Sequence, residues 1–272
     1  MTAIAGPWCV LIPCLNEALA IRKVVESALA LGAPVIVVDD GSDDGTPDIV
    51  ATLPATLIRH ATRRGKGEAL RTGFREALRR GYVAAVTMDG DGQHVASDIP
   101  RLLSAAARYP NHIVTGARLI NRHRQPTYRR RANDFADWGI SWACGQRLVD
   151  TQSGQRYYPR AALELVDIDT QGFVFESEIL IEAAWQRGVR VASVPIESRY
   201  QGSHEKGEFR LSHFRPVSDF LRITLRVIGK VVRAGFLWDN YRRVRDEQPL
   251  LVDDHLPAPS RATTGDAVHS AS

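Results

Sequence analysis

The chain has 272 residues, with 35 Lys plus Arg against 31 Asp plus Glu and a formal net charge of +4. Hydrophobic residues make up 44% and charged residues 24%, which is typical of a soluble globular protein and excludes wholesale disorder, collagen-like repeats and a disulfide scaffold. The small net charge gives no reason to expect a nucleic-acid partner. Three cysteines without a CxxC pair suit a reducing compartment, and no signal-peptide pattern opens the chain, so we expect a cytoplasmic protein.

The first hundred residues alternate short apolar runs with helical patterns, which predicts α/β architecture with a central, mostly parallel sheet flanked by helices. Strands are predicted over residues 8–12, 35–38, 56–58 and 83–88, and helices after residues 16 and 45 and over 66–80. Further along, strands over 149–158 and 189–195 flank a helix over 175–187. The chain has no run of 18 apolar residues, which predicts no membrane-spanning helix.

The C-terminal part has a different character. A helical pattern over 217–238 places Arg222, Arg226, Lys230 and Arg233 on one basic stripe beside apolar residues. Such a helix can lie in a membrane interface, or it can pack on the catalytic domain with its basic face in water. From about Pro249 the sequence loses periodicity, which predicts a disordered tail. We therefore divide the chain into a catalytic domain over 1–212, a basic amphipathic helix region over 213–246 and a disordered tail over 247–272.

The segment Asp89-Gly90-Asp91-Gly92-Gln93 directly follows a predicted strand. Two carboxylates one residue apart, with glycines between them, can turn their oxygens toward one point. A hard divalent cation prefers such ligands and completes its shell with substrate phosphates. The alternative is a glycine-rich turn whose aspartates are solvated or cap the next helix. Because ligands bind outside the carboxyl ends of strands in open α/β sheets, the position favours the metal site.

Two more polar clusters follow predicted strands. Asp39 and Asp40 come after the second strand, where carboxylates can accept hydrogen bonds from a ribose or a base amide. The alternative is a turn in which the neighbouring Asp43 and Asp44 cap a helix. After the first strand, Asn16 is expected to cap a helix, whereas the sequence leaves the role of Glu17 open.

Six segments in this order, PCLNE, VVDDGSDDGT, RGKGEALRTGF, MDGDGQH, DTQSGQRYYPR and VPIESRY, together resemble glycosyltransferase family 2. Within that family the chain is most similar to the polyprenyl (dolichyl) phosphate sugar transferases. The likeness spans about residues 8–235. It implies a GT-A, Rossmann-like domain, a nucleotide-sugar donor, and Mg²⁺ or Mn²⁺ as cofactor.

The resemblance also implies roles for individual residues. Nucleotide-sugar binding falls to Pro13, Asn16, Glu17, Asp39, Asp40, Lys66, Gly67, Asp89 and Gln93. The metal ligands are Asp89, Asp91 and Gln93. Catalytic roles fall to Asp91, Arg118, Asp150 and Glu178. The residues implied to contact the acceptor or the diphosphate are Gln152, Ser153, Ser203 and Lys206. We add Arg131 to these residues because it belongs to a run of three arginines.

The acceptor decides the rest of the chemistry. A lipid phosphate is already anionic and needs little or no general base, and arginines would position it; the arginine run can otherwise be a solvated surface loop. A hydroxyl on a small or cell-envelope metabolite would need a base, for which Asp150 and Glu178 are the first candidates. A third hypothesis is an inactive module that binds nucleotide sugars or anionic lipids. With a lipid-phosphate acceptor, we expect an inverting, metal-dependent hexosyltransferase on the inner face of the cell membrane, held there by its basic helix.

Overall fold

A computed structural model describes residues 4–122, 127–168, 174–197, 229 and 237–252 of the chain. Its strands are β1 (Trp8–Cys14), β2 (Val35–Asp39), β3 (Thr56–Arg59), β4 (Ala84–Thr87), β5 (His112–Ala117), β6 (Arg156–Pro159) and β7 (Arg190–Pro195). Its helices are α1 (Ile21–Leu29), α2 (Thr46–Ala51), α3 (Lys66–Arg79), α4 (Ile99–Arg108), α5 (Thr127–Cys144), α6 (Arg160–Leu163), α7 (Val174–Arg187) and α8 (Leu237–Asp246).

The seven strands form one sheet in the order β3-β2-β1-β4-β6-β5-β7. β1 pairs in parallel with both β2 and β4, and β5 pairs in parallel with β7. β6 is antiparallel to both of its neighbours, β4 and β5. The predicted α/β sheet flanked by helices, parallel in most of its pairs, is therefore confirmed. Since β1, β2 and β4 run in the same direction side by side, the loops that follow them lie at one edge of the sheet.

Two apolar clusters hold the helices on opposite faces of this sheet. Successive side chains of a strand point to opposite faces, so Leu11 of β1 packs with Phe74 of α3, whereas Ile12 packs with Ile21 of α1. The close approach of α3 to β1 depends on Gly73, where an added Cβ would lie 2.2 Å from a methyl carbon of Leu11. The start of α3, which carries Lys66, is thereby positioned beside the carboxyl ends of the strands.

The structure corrects one predicted strand, adds elements that the sequence patterns do not predict, and decides against one alternative for the arginine run. A strand over 149–158 is wrong in its first part, because Asp150 has a φ of +48° and residues 149–155 form a turn that leads into β6. The sequence patterns predict no element over 99–144, where the structure has α4, β5 and α5. The arginine run Arg129–Arg131 accordingly lies on α5 and not in a surface loop.

The predicted disordered tail begins too early. Glu247 forms an ion pair with Arg190 at 2.9 Å and accepts a hydrogen bond from the backbone N–H of Arg147. Residues 250–252 then lie along β7, with two backbone hydrogen bonds to Ser193, and Val252 is buried. Residues 253–272 lie outside the described residues.

The helix α8 packs on α5 through an aromatic cluster in which the ring of Tyr241 lies 6.2 Å from those of Trp138 and Trp142. The four residues of the predicted basic stripe, Arg222, Arg226, Lys230 and Arg233, all lie outside the described residues. No helix that the structure describes is long and apolar enough to cross a membrane.

Candidate active site

The loop after β4 carries the first of the predicted metal ligands. Asp89 Oδ1 lies 2.7 Å from the ammonium of Lys66, and Asp89 Oδ2 lies 3.6 Å from Nδ1 of His94. Burial would raise the pKa of Asp89, but the positive charge of Lys66, with smaller contributions from His94 and Arg118, lowers it to about 2. Asp89 is therefore a carboxylate at every physiological pH.

Asp91 and Gln93 complete the predicted metal set. Asp91 Oδ1 accepts a hydrogen bond from the backbone N–H of Gln93 at 2.9 Å. Burial and the neighbouring charge of Asp89 raise the pKa of Asp91, so negative charge accumulates here beyond what nearby cations offset.

The donor set fits a divalent cation whose shell is completed by a substrate. Two carboxylates and one amide offer oxygen ligands, which Mg²⁺ and Mn²⁺ prefer. Within the described ranges no group of three or more His, Cys, Asp and Glu side chains could hold a metal. An all-protein cage is thus absent from this part of the chain, and an open site at the Asp89 loop matches an ion that also binds phosphate oxygens.

Lys66 joins the start of α3 to the start of α7. Its ammonium lies 3.1 Å from Glu176 Oε1 as well as 2.7 Å from Asp89. Burial would lower the pKa of Lys66, but the two carboxylates outweigh it and raise the pKa well above the usual range. Lys66 is a permanent cation beside the carboxylate loop. The adjacent Gly67 is buried in the first turn of α3.

The loop after β2 is held by internal hydrogen bonds. Asp40 accepts from the backbone N–H groups of Arg64 at 2.9 Å and Gly65 at 2.7 Å, and its Oδ1 lies 2.8 Å from Nδ1 of His60. Asp39 is fully buried, accepts from Ser42 and pairs with Arg59 at 3.3 Å. Both carboxylates brace this edge of the sheet, and their contact with a nucleotide stays a prediction.

Asn16 does not cap a helix, since α1 begins at Ile21. Its backbone N–H donates to Ser42 Oγ at 2.8 Å, and its Oδ1 accepts from the backbone N–H of Asp43 at 3.0 Å. Asn16 therefore ties the loop after β1 to the loop after β2. Gly90 fits closely against this loop, because an added Cβ would lie 3.0 Å from Cys14 Cβ and 3.4 Å from both Glu17 Cγ and the carbonyl oxygen of Pro13.

Arg118, just after β5, forms a forked pair with Asp150. Its Nε and Nη2 donate to the two carboxylate oxygens at 2.9 and 2.7 Å, and its backbone N–H donates to Oδ2 at 2.7 Å. Burial would raise the pKa of Asp150, but Arg118 outweighs it, so the pKa is lowered. Asp150 is thus a poor proton acceptor that positions Arg118.

Two residues that the sequence reasoning missed hold the turn around Asp150. Asp137 of α5 is buried and accepts from the backbone N–H groups of Asp150 and Thr151, both at 2.8 Å. Arg156 is fully buried in β6 and donates to the carbonyl oxygens of Thr151 and Glu176. A charged residue inside an apolar strand is a signal that could have identified Arg156, whereas no local pattern marks Asp137.

The remaining predicted residues lie in different surroundings. Ser153 is fully buried and donates to the carbonyl oxygen of Gly116 at 2.6 Å, so its hydroxyl is used within the fold. Glu178 is buried in α7. Gln152 is half-buried next to the Asp150 turn, and Arg131 is exposed on α5. Ser203 and Lys206 lie outside the described residues.

The model of the family described as "Glycosyl transferase family 2" matches residues 9–170, which is more than half of the chain. This range contains β2 to β6, all of β1 except Trp8, and Asp89 with its two charged neighbours Lys66 and His94. The chain therefore belongs to glycosyltransferase family 2 and is a glycosyltransferase.

Among similar proteins, undecaprenyl-phosphate mannosyltransferase of Micrococcus luteus is 34% identical over 182 residues, 60% of this chain and 70% of that one. The UDP-N-acetylglucosamine–dolichyl-phosphate N-acetylglucosaminyltransferase of Methanococcus voltae is 28% identical over 246 residues, covering 82% and 96%. A crystal structure of glucosyl-3-phosphoglycerate synthase from Mycobacterium tuberculosis with Mn²⁺, UDP-glucose and phosphoglyceric acid superposes with a TM-score of 0.60 at 19% identity, covering 84% of this chain and 79% of that one. These likenesses confirm the GT-A fold and the resemblance to polyprenyl phosphate sugar transferases.

Proposed function

We propose that this chain transfers a hexose from a GDP- or UDP-linked sugar to a polyprenyl phosphate or another membrane lipid, with inversion at the sugar carbon. The observation that carries this proposal is the carboxylate pair Asp89 and Asp91 after β4, with the cations Lys66 and Arg118 close enough to shift the pKa of both. A site that combines carboxylates for a cation with nearby basic side chains suits a substrate that brings its own phosphates.

Asp89, Asp91 and Gln93 would hold Mg²⁺ or Mn²⁺ in this proposal. Such an ion, when bound, neutralises charge that develops on the leaving diphosphate. Lys66, at the N-terminal turn of α3, offers a second positive charge to the same phosphates. The Mn²⁺ complex of the solved neighbour shows that its GT-A domain binds this ion, and we extend that property to this chain as part of the proposal.

The acceptor is assigned from the state of the two candidate bases. Asp150 is held as the partner of Arg118 with a lowered pKa, and Glu178 is buried in α7. Neither arrangement suits the removal of a proton from a hydroxyl, which favours an acceptor that is already anionic. Arg118 and the exposed Arg131 are the groups that we assign to an acceptor phosphate. The names of the two relatives, which specify undecaprenyl and dolichyl phosphates, support the same acceptor.

A donor-by-acceptor assay tests the proposal. The protein is incubated with GDP-mannose, UDP-glucose or UDP-N-acetylglucosamine, undecaprenyl phosphate in detergent and Mn²⁺, with and without EDTA, and lipid-linked sugar is measured. We expect metal-dependent product with one donor, and NMR of the product reports the anomeric configuration. Metal-dependent hydrolysis without lipid product would move the acceptor to a hydroxyl compound, and neither reaction would favour the binding module.

The pH dependence of the Asp150→Asn variant tests the acceptor assignment. Because Asp150 positions Arg118, we expect the variant to lower the transfer rate by roughly tenfold through misplacement while leaving the shape of the pH–rate profile unchanged. The exposed Asp48→Asn serves as the control and should retain the wild-type rate and profile. Loss of the acidic limb of the profile in Asp150→Asn would instead identify Asp150 as a general base.

A further inference from the structure

We propose that Lys66 is the resident counter-ion of the metal site. Its ammonium neutralises Asp89 and Glu176 while no donor is bound, and the donor diphosphate draws it away so that a divalent cation can take its place. This inference rests on the metal-dependent function proposed above. It predicts that the metal and the nucleotide bind cooperatively and that Lys66 is the group that couples them.

The position of the ammonium is the first observation. Lys66 Nζ lies between two carboxylates of different elements, 2.7 Å from Asp89 Oδ1 and 3.1 Å from Glu176 Oε1. Only 22% of the Lys66 side chain is exposed, so the ammonium is held inside the site. An ammonium in contact with a metal ligand occupies space and charge that a divalent cation would otherwise use.

The second oxygen of Asp89 is enclosed by the fold. An added Cβ on Gly154 would lie 2.3 Å from Asp89 Oδ2 and 2.6 Å from Oδ1, which shows how closely the backbone approaches this carboxylate. The buried ring of His94 lies on Oδ2 at 3.6 Å. Because the ammonium of Lys66 covers Oδ1, a cation that binds this oxygen meets a second positive charge, and the repulsion between two cations makes the Lys66 ion pair and the metal alternatives.

A nucleoside diphosphate offers Lys66 a new partner. Its phosphate oxygens are anionic, and a lysine on a flexible four-carbon stem can move from a carboxylate to a phosphate without backbone change. This exchange leaves Asp89 free while the donor contributes its own oxygens to the cation. Two ligands that each favour the same rearrangement bind cooperatively, and the coupling is reciprocal.

Titration of the intact protein with Mn²⁺, followed by electron paramagnetic resonance of free Mn²⁺, tests the proposal. It is run without nucleotide, with UDP and with GDP, on the wild type and on Lys66→Met, Lys66→Arg and Lys23→Met. Met is close to Lys in length and lacks the charge, whereas Arg keeps the cation. Lys23 is exposed on α1 and serves as the matched control.

We expect nucleotide to tighten Mn²⁺ binding by the wild type and by Lys23→Met by roughly tenfold, within the usual range of coupling between sites. Lys66→Met should bind Mn²⁺ without nucleotide about tenfold more tightly than the wild type and lose most of the coupling. Lys66→Arg should remain close to the wild type. Thermal unfolding provides a second readout, because Mn²⁺ alone should raise the Tm of Lys66→Met more than that of the wild type.

The outcomes separate this inference from the function on which it rests. Nucleotide-dependent Mn²⁺ binding in the wild type, together with unchanged or weaker nucleotide-free binding in Lys66→Met, would overturn the counter-ion role alone. Absence of Mn²⁺ binding by the wild type with either nucleotide would overturn the metal-dependent function as well.

Discussion

Two acidic loops lie at the same edge of the sheet, one on each side of the loop after β1, and their carboxylates are held in different ways. After β2, Asp40 accepts hydrogen bonds from the backbone N–H groups of Arg64 and Gly65, which cannot move unless the backbone moves. After β4, Asp89 is held by the side chain of Lys66, whose flexible stem can move. The first loop is thus bonded into the fold, whereas the second keeps ligand oxygens that a cation could take.

The difference shows why an acidic cluster at a strand end is an incomplete signal. Backbone N–H groups that would otherwise be buried without partners cost free energy, so a carboxylate that accepts from them contributes to stability. A carboxylate whose pKa is raised by burial and by a like charge, as in Asp91, costs stability and is a sign of function. Substitutions in the two loops should therefore separate into effects on transfer and effects on folding.

The largest effect is expected for Asp91→Asn, which removes the charge but keeps the size of a proposed metal ligand. Transfer should fall by roughly 100-fold or more, as when an electrostatic stabiliser of a transition state is lost. The Tm should stay near that of the wild type, because Asn can still accept from the backbone N–H of Gln93. Initial rates with saturating Mn²⁺ and donor, with Asp48→Asn as the control, measure this effect. Wild-type transfer by Asp91→Asn would contradict the metal assignment.

Gly154→Ala should damage the same loop without changing any charge. Its Cβ would lie 2.3 Å from one oxygen of Asp89, so the carboxylate must move. A shift of about 1 Å near the reacting groups can lower a rate by roughly 100-fold, and we expect transfer and Mn²⁺ binding both to fall.

Gly32→Ala provides the contrasting control. Gly32 has a φ of +71° with open space around it, so Ala should cost about 1 kcal/mol of stability through backbone strain and leave transfer unchanged. Urea unfolding and transfer rates of both variants separate the two effects. Normal Mn²⁺ binding by Gly154→Ala would show that Asp89 does not serve as a ligand.

The sequence could predict much of the half that contains these loops. Four β-strands, the helix α3 from Lys66 and the position of Asp89 and Asp91 at a strand end all follow from local apolar runs and the residues that interrupt them. The partners of Asp40 could not be predicted in this way. They are the ring of His60 and the backbone N–H groups of residues 64 and 65, and nothing in the local pattern of either segment indicates that they meet.

The second half of the site was harder to predict for a related reason. Asp150 looks like a base in the sequence, but its role depends on the forked contact with Arg118 across the sheet edge and on support from Asp137. Ser153 looks like a ligand contact, but its hydroxyl donates to Gly116. A residue's chemistry here is decided by long-range partners, which periodicity and spacing do not encode.

A smaller effect on transfer, and a larger one on stability, is expected for Asp40→Asn. The amide keeps one acceptor oxygen and turns an NH₂ group toward the N–H of Arg64 or of Gly65, so one partly buried donor loses its partner. Such a loss costs about 2 kcal/mol, which urea unfolding measures. Nucleotide-free Mn²⁺ binding should not change. Unaltered stability together with weaker nucleotide binding would show instead that Asp40 acts mainly on the ligand, as the family resemblance implies.

The smallest effect is expected for Asp44→Asn, at the exposed end of the loop after β2. Asp44 accepts from the backbone N–H groups of Ala18 and Thr46, both at 3.1 Å, and from the Thr46 hydroxyl. Burial would raise its pKa, but the hydrogen bonds from Thr46 and Ala18 outweigh it, so the pKa is lowered below 3.8. A carboxyl group with a lowered folded-state pKa stabilises the protein fully at pH values above its unfolded-state pKa, and it loses that contribution as the pH falls through the lowered folded-state pKa.

Asn can still accept some of these bonds, so Asp44→Asn should lose about 1 kcal/mol near pH 7 and retain full transfer. The difference in unfolding free energy between wild type and variant should shrink as the pH falls from 5 toward 3, because protonation removes in the wild type the charge that the substitution has already removed. Urea unfolding at pH 7, 5 and 3 measures it. A difference in unfolding free energy that stays constant with pH would mean that the hydrogen bonds of Asp44, and not its charge, stabilise the protein. Asp44 would then affect neither transfer nor the electrostatics of the loop after β2.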